Sequence, residues 1–67
     1  MNVRKVKGRM TEMGISGETL AKEMNINPST FYRKMKKDGE TFTIGEIRAM
    51  KQILEFNDQQ AVEILLA

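Results

Sequence analysis

The chain has 67 residues, 40% of them apolar, and a formal charge of +2, enough for one small core and no second lobe. It contains neither cysteine nor histidine, which excludes disulfides, thiolate or imidazole metal sites and every nucleophile that relies on a histidine base. Nine of the eleven Lys and Arg lie at or before Lys37, against three acids, whereas from Asp38 onward two bases face six acids. The basic first half suits a polyanion and the acidic second half suits water or protein; a solvated basic face without any partner is the competing reading. A core this small covers only about 60% of the unfolded chain's surface, so modest stability is expected. No apolar run of signal-peptide or membrane-spanning length is present, and together with the missing cysteines this points to the cytoplasm.

Val3, Val6, Met10 and Met13 recur at steps of three and four, which predicts a first helix with Arg4, Lys5, Lys7 and Arg9 around its other faces, ending at Gly14. Ser16 is the expected cap of a second helix, with Glu18 near its positive pole and Leu20, Ala21 and Met24 inward. That helix stops near Asn25, since asparagine accepts positive φ more readily than other non-glycine residues. Asn27-Pro28 restarts helix: Asn caps, and Pro at the first position loses only an amide that had no partner. The third helix runs from about Pro28 to Lys36, with Phe31 and Met35 inward and Ser29, Thr30, Tyr32, Arg33 and Lys36 on other faces.

Lys37 to Thr43 is the longest turn-like stretch, and the alternation in Thr41-Phe42-Thr43-Ile44 allows either a loop or an extended arm. Thr43-Ile44-Gly45-Glu46 matches a reciprocal capping box that starts a fourth helix, with Ile44, Ile47, Met50 or Lys51, and Leu54 at helical spacing. Asn57-Asp58-Gln59-Gln60 repeats this logic for a last helix carrying Ala61, Val62 and Leu65. The expected fold is all-α, a single domain over residues 1–67 built as a compact bundle of about five short helices.

Only Asn25, Ile26 and Asn27 remain for the turn between the second and third helices. Helices joined so tightly cross steeply, and the later one is presented outward. Such a crossing needs a small residue where the backbones approach, an apolar residue in the turn and another one turn into the outer helix; Ala21, Ile26 and Phe31 stand there. With the Ser29-Thr30 pair that opens the third helix, the segment from Gly17 to Lys36 resembles the helix-turn-helix of the phage Cro and lambda-repressor-like family, the small Xre-type DNA-binding regulators. The motif covers about 20 residues, and the other predicted helices extend the likeness over nearly the whole chain. Two positions depart from the pattern. The usual turn glycine is Asn25, and a position commonly apolar late in the outer helix is Lys34, whose packing role passes to Met35.

The resemblance implies binding of double-stranded operator DNA by a small Cro-like or repressor-like transcription regulator of phage or prophage type. Asn27, Pro28, Ser29, Tyr32 and Arg33 would then form the base-reading surface in the major groove. Arg33 is the candidate for a forked contact with guanine, Asn27 for adenine unless its amide is spent on the cap, and Tyr32 for a thymine methyl or a phosphate unless its ring is partly buried. Phosphates are expected at the start of the second helix, through the free amides around Gly17, Glu18 and Thr19, and at Thr30, Lys36 and Lys37. Gly17 would let backbone approach phosphate closely, whereas Glu18 opposes an anion there. The bases of the first helix serve either flanking phosphates or solubility.

One reading helix covers too few base pairs to select a site, so a homodimer is expected, its reading helices about 34 Å apart. Ile64, Leu65 and Leu66 are the expected contacts, because three consecutive large aliphatics cannot all point inward and Ile64 or Leu66 should be exposed. A function of another class fits the same features: an antirepressor-like antagonist that uses this scaffold to bind a repressor or other protein. Operator binding that needs a second protein and survives Arg33→Ala would favour it. No enzymatic activity, catalytic residue, metal, cofactor, small-molecule substrate or membrane partner is expected, since the carboxylates are scattered and no Gly-rich phosphate loop occurs.

Overall fold

Side-chain caps start every helix of the chain. In the computed structural model, which describes residues 1–67, the elements are α1 (Val3–Met13), α2 (Gly17–Glu23), α3 (Pro28–Lys36), α4 (Ile44–Ile53) and α5 (Asp58–Gln60), the last continuing as a π-helical segment, Ala61–Leu65. Asn2 Oδ1 accepts from the Lys5 amide and Ser16 Oγ from the Thr19 amide, both at 3.1 Å. Thr43 with Glu46, and Asn57 with Gln60, form reciprocal boxes. Each cap contributes about 1 kcal/mol, a large share in a domain of this size. Helix ends follow the same local chemistry: Gly14 has φ +67° and Asn25 has φ +61°, as the sequence predicts. Asp38 (φ +57°) and Glu55 (φ +56°) also enter the left-handed region just after α3 and α4, where neither residue type announces it.

The helices enclose one core, in which Val6, Leu20, Phe31, Met50 and Leu54 are fully sequestered. There are no strands. α2 packs against both α3 and α4, and the π-helical segment packs against α1 and α4. Three polar ties fasten the α1 end of the chain to the carboxyl-terminal half: the Met1 ammonium donates to Ala67 O and the Asn2 amide to Ile64 O, both at 2.7 Å, and Arg9 Nε donates to Leu54 O at 2.8 Å. No helix is long and apolar enough to cross a membrane.

The structure decides two alternatives that the sequence leaves open and places two further aliphatics in solvent. Phe42 turns inward, 7% exposed, with its ring centroid 5.9 Å from that of Phe31, so Lys37 to Thr43 is an anchored turn and not an extended arm. Met50, not Lys51, is the buried member of its pair. Ile44, which shares the helical spacing of Ile47 and Leu54, and Val62 of the last segment are 73% and 59% exposed. Ile44 is the first residue of α4 and faces a surface groove with Val62 and Leu66. In the last segment Ala61, Ile64 and Leu65 take the inward positions, leaving Val62 outside.

Candidate nucleic-acid interface

α3 carries no acidic residue. Phe31 and Met35 anchor it, which turns Ser29, Tyr32, Arg33 and Lys36 outward, followed by Lys37 at its end. Arg33, Lys36 and Lys37 form no ion pair within the chain. Pro28 and Thr30 are half-buried at the first turn.

Asn27 is spent as a cap. Its Oδ1 accepts from the Ser29 amide at 2.9 Å and from the Ser29 hydroxyl at 2.6 Å. A forked contact with adenine needs that oxygen as acceptor beside the side-chain amide as donor, so only the donor half of Asn27 is left, and Ser29 has committed its hydroxyl proton as well.

Tyr32 is 48% exposed, yet its position is fixed from behind. A Cβ placed on Gly17 would lie 2.6 Å from the Tyr32 hydroxyl oxygen and 2.8 Å from its nearest ring carbons. The ring therefore lies across the start of α2, edge-on to Phe31 with centroids 5.6 Å apart. Gly17 is buried beneath the ring, so its missing side chain makes room for Tyr32, and Tyr32 takes the partly packed alternative, with its hydroxyl edge at the α2 start. Thr19 is exposed, but its amide is already taken by Ser16 Oγ and its hydroxyl oxygen accepts from the Ser16 hydroxyl at 3.0 Å.

The bases of α1 divide. Arg9 is tied to Leu54 O, with Glu12 3.9 Å from its guanidinium, so it is structural. Lys7 faces α3 instead: together with Lys36 it edges a cleft of about 290 Å³ over Met10, Phe31 and Met35.

Lys34, at the position where the family pattern is commonly apolar, is partly buried and paired. Its side chain is 17% exposed, its ammonium lies 2.8 Å from Glu46 Oε1 and stands 5.6 Å from the Phe42 ring centroid. The same Glu46 oxygen accepts from the Thr43 amide at 2.9 Å. Burial pushes the Glu46 carboxyl up, but the hydrogen bonds from Lys34 and the Thr43 backbone, with the attraction of the ammonium, outweigh it and hold the group below its usual value.

On α4 and the last segment the outer surface is of another kind. Ile44, Ile47, Ala61, Val62 and Leu66 line a groove of about 350 Å³, with Arg48 and the Lys51–Asp58 ion pair at its edge. Of the three expected dimer contacts only Leu66, 64% exposed, is on this surface; Ile64 and Leu65 are 9% and 2% exposed and belong to the chain's own core. The apolar face is instead completed by Ile44 and Val62. Compared with protein-family models, curated proteins and solved structures, the chain matches none.

Proposed function

We propose that the chain binds double-stranded DNA sequence-specifically as a homodimer, placing α3 in the major groove, as a small Cro-like or repressor-like transcription regulator of phage or prophage type working in the cytoplasm. The observation that carries this reading is the outward face of α3, where Arg33, Lys36 and Lys37 have no anionic partner within the chain and no acid shares the helix. A helix fits the major groove. Arg33, exposed and unpaired, reads guanine through its two groove-facing acceptors, while Lys36 and Lys37, with Lys7 across the cleft, neutralise phosphates on either side. The groove lined by Ile44, Val62 and Leu66 takes the second copy, since an apolar surface exposed in one chain gains by meeting its own image across a two-fold axis.

Selection from random duplexes at two salt concentrations tests this. The expected product is a palindromic site whose retention falls with salt at a log–log slope of about −0.9 per phosphate contacted, and whose guanine preference is lost in Arg33→Ala. Retention independent of sequence, or unchanged in Arg33→Ala, refutes it.

A further inference from the structure

We propose that Lys34 and Glu46 are positioning residues of this DNA-binding surface, holding α3 at a fixed angle to α4 without touching the nucleic acid themselves. The inference rests on the reading above. Lys34 belongs to the basic run Arg33, Lys34, Lys36, Lys37, yet it alone of these has an anionic partner. That partner stands 12 residues away in the first turn of α4, across the turn that carries positive φ at Asp38 and Gly39.

The location of the pair gives it leverage. α3 packs on α2 and α2 on α4, but α3 and α4 share no comparable face. The ion pair is thus a direct fastening between two helices that share little packed face, beside the Phe31–Phe42 contact of the turn that joins them. Both side chains are at least four-fifths shielded, at 17% and 16% exposed, so water competes for the contact less than at an exposed pair. The Glu46 oxygen that holds Lys34 also holds the Thr43 amide, so the tie ends on the capping box itself, and the next residue is Ile44, at the edge of the apolar groove. A rigid link therefore runs from the reading helix to the face that takes the second copy. Loss of this link frees α3 to rock on α2. Attraction to phosphates survives such rocking, because it acts over several ångströms, whereas matching two reading helices to two half-sites does not.

Three variants of the full chain separate positioning from contact. Glu46→Gln keeps an acceptor for the Thr43 amide, since glutamine serves the capping box as well, and loses the charge. Lys34→Met keeps an unbranched stem beside Phe42 and loses the ammonium; Lys34→Arg keeps the charge. Each is titrated with the selected duplex and with an unrelated duplex of equal length over a salt series, and amide hydrogen exchange along α3 is measured in parallel. Expected are a roughly tenfold loss of discrimination in Glu46→Gln and in Lys34→Met, no further loss in the double variant, faster exchange in α3 for both, and recovery in Lys34→Arg. The sign for Glu46→Gln is diagnostic: removing a negative charge tightens DNA binding if only net charge matters and loosens specific binding if the pair positions α3. A Lys34→Met variant that loses affinity for both duplexes alike, with a salt slope shallower by about 0.9, makes Lys34 a phosphate contact and overturns the positioning role. Discrimination and exchange unchanged in Glu46→Gln overturn it as well, leaving the DNA-binding reading intact. A wild-type chain that does not discriminate between duplexes overturns both.

Discussion

α3 and α4 are nearly equal in length, nine and ten residues, and both start from a side-chain cap on an extended residue, yet they meet solvent with opposite chemistry. The outer face of α3 is cationic and unpaired, whereas the surface that α4 shares with the last segment is apolar, edged by Arg48 and by Lys51 and Asp58, which are joined to each other. The difference teaches that a count of charges does not describe a surface until it is known which of them the chain itself has paired. Arg9 and Lys34 are as basic in sequence as Arg33, but one holds the Leu54 carbonyl and the other Glu46, so neither is available to a partner.

The largest expected effect comes from charging the apolar side of this comparison. Val62→Glu together with Leu66→Glu leaves the core untouched, because both side chains are exposed. It should turn a dimer into a monomer in sedimentation and weaken binding to the full palindrome at least about a hundredfold, a half-site's worth of contacts, while a single half-site is bound nearly as before. Equal binding to the full site would show that the groove is not where copies meet. On the α3 side, Arg33→Ala should cost about 1–3 kcal/mol of discrimination at one guanine position, fivefold to about a hundredfold in an anisotropy titration. Its effect on unfolding should stay within roughly 0.5 kcal/mol, as for other exposed, unpaired positions.

Gly17→Ala tests whether the reading face depends on the start of α2. The new methyl must push the Tyr32 ring away, at a cost of about 1 kcal/mol and a few-fold loss of specific affinity. With one Tyr and no Trp in the chain, intrinsic fluorescence reports on this ring alone, and an emission spectrum unchanged by Gly17→Ala would contradict the packing described. Tyr32→Ala should make the Gly17→Ala change harmless. The smallest effect is on pH dependence. Because the Glu46 carboxyl is held below its usual 4.5 when folded, the folded state binds fewer protons there than the unfolded one. Its contribution is therefore complete above pH 4.5 and disappears as pH falls through the lowered value. The unfolding temperature should drop across that window, and less in Glu46→Gln; parallel curves for the two proteins would remove Glu46 as a source. The Asp58 carboxyl, lowered by the hydrogen bond and attraction of Lys51, acts with the same sign at an exposed site.

Much of the fold is legible in the sequence because helix boundaries depend on short-range chemistry. A cap oxygen reaches an amide two or three residues ahead, so Ser16, Asn27, Thr43 and Asn57 can be placed without knowing anything else about the chain. The buried stripes of α1, α2 and α3 follow from period for the same reason. Phase in the last segment does not: Val62 through Leu66 contains aliphatics on every side, and a wider π-helical turn, docked on α1 through the Asn2 amide and Ile64 carbonyl, decides which of them face in.

The candidate interface divides in the same way. Arg33, Lys36 and Lys37 could be named from the sequence, since the third helix holds no acid; that Asp38 and Glu40 leave them unpaired is seen only in the structure. The roles of Gly17 and Lys34 could not, because each is explained by a residue 12 or more positions away, Tyr32 in one case and Glu46 in the other. By itself the sequence determined an all-helical chain, where its helices start and stop, and a basic half beside an acidic one, all matters of neighbours within a turn or of simple addition. Only the tertiary structure decided which cations are spent on the chain's own carbonyls and carboxylates and which aliphatics remain in water, because those outcomes depend on contacts between segments that no local period encodes.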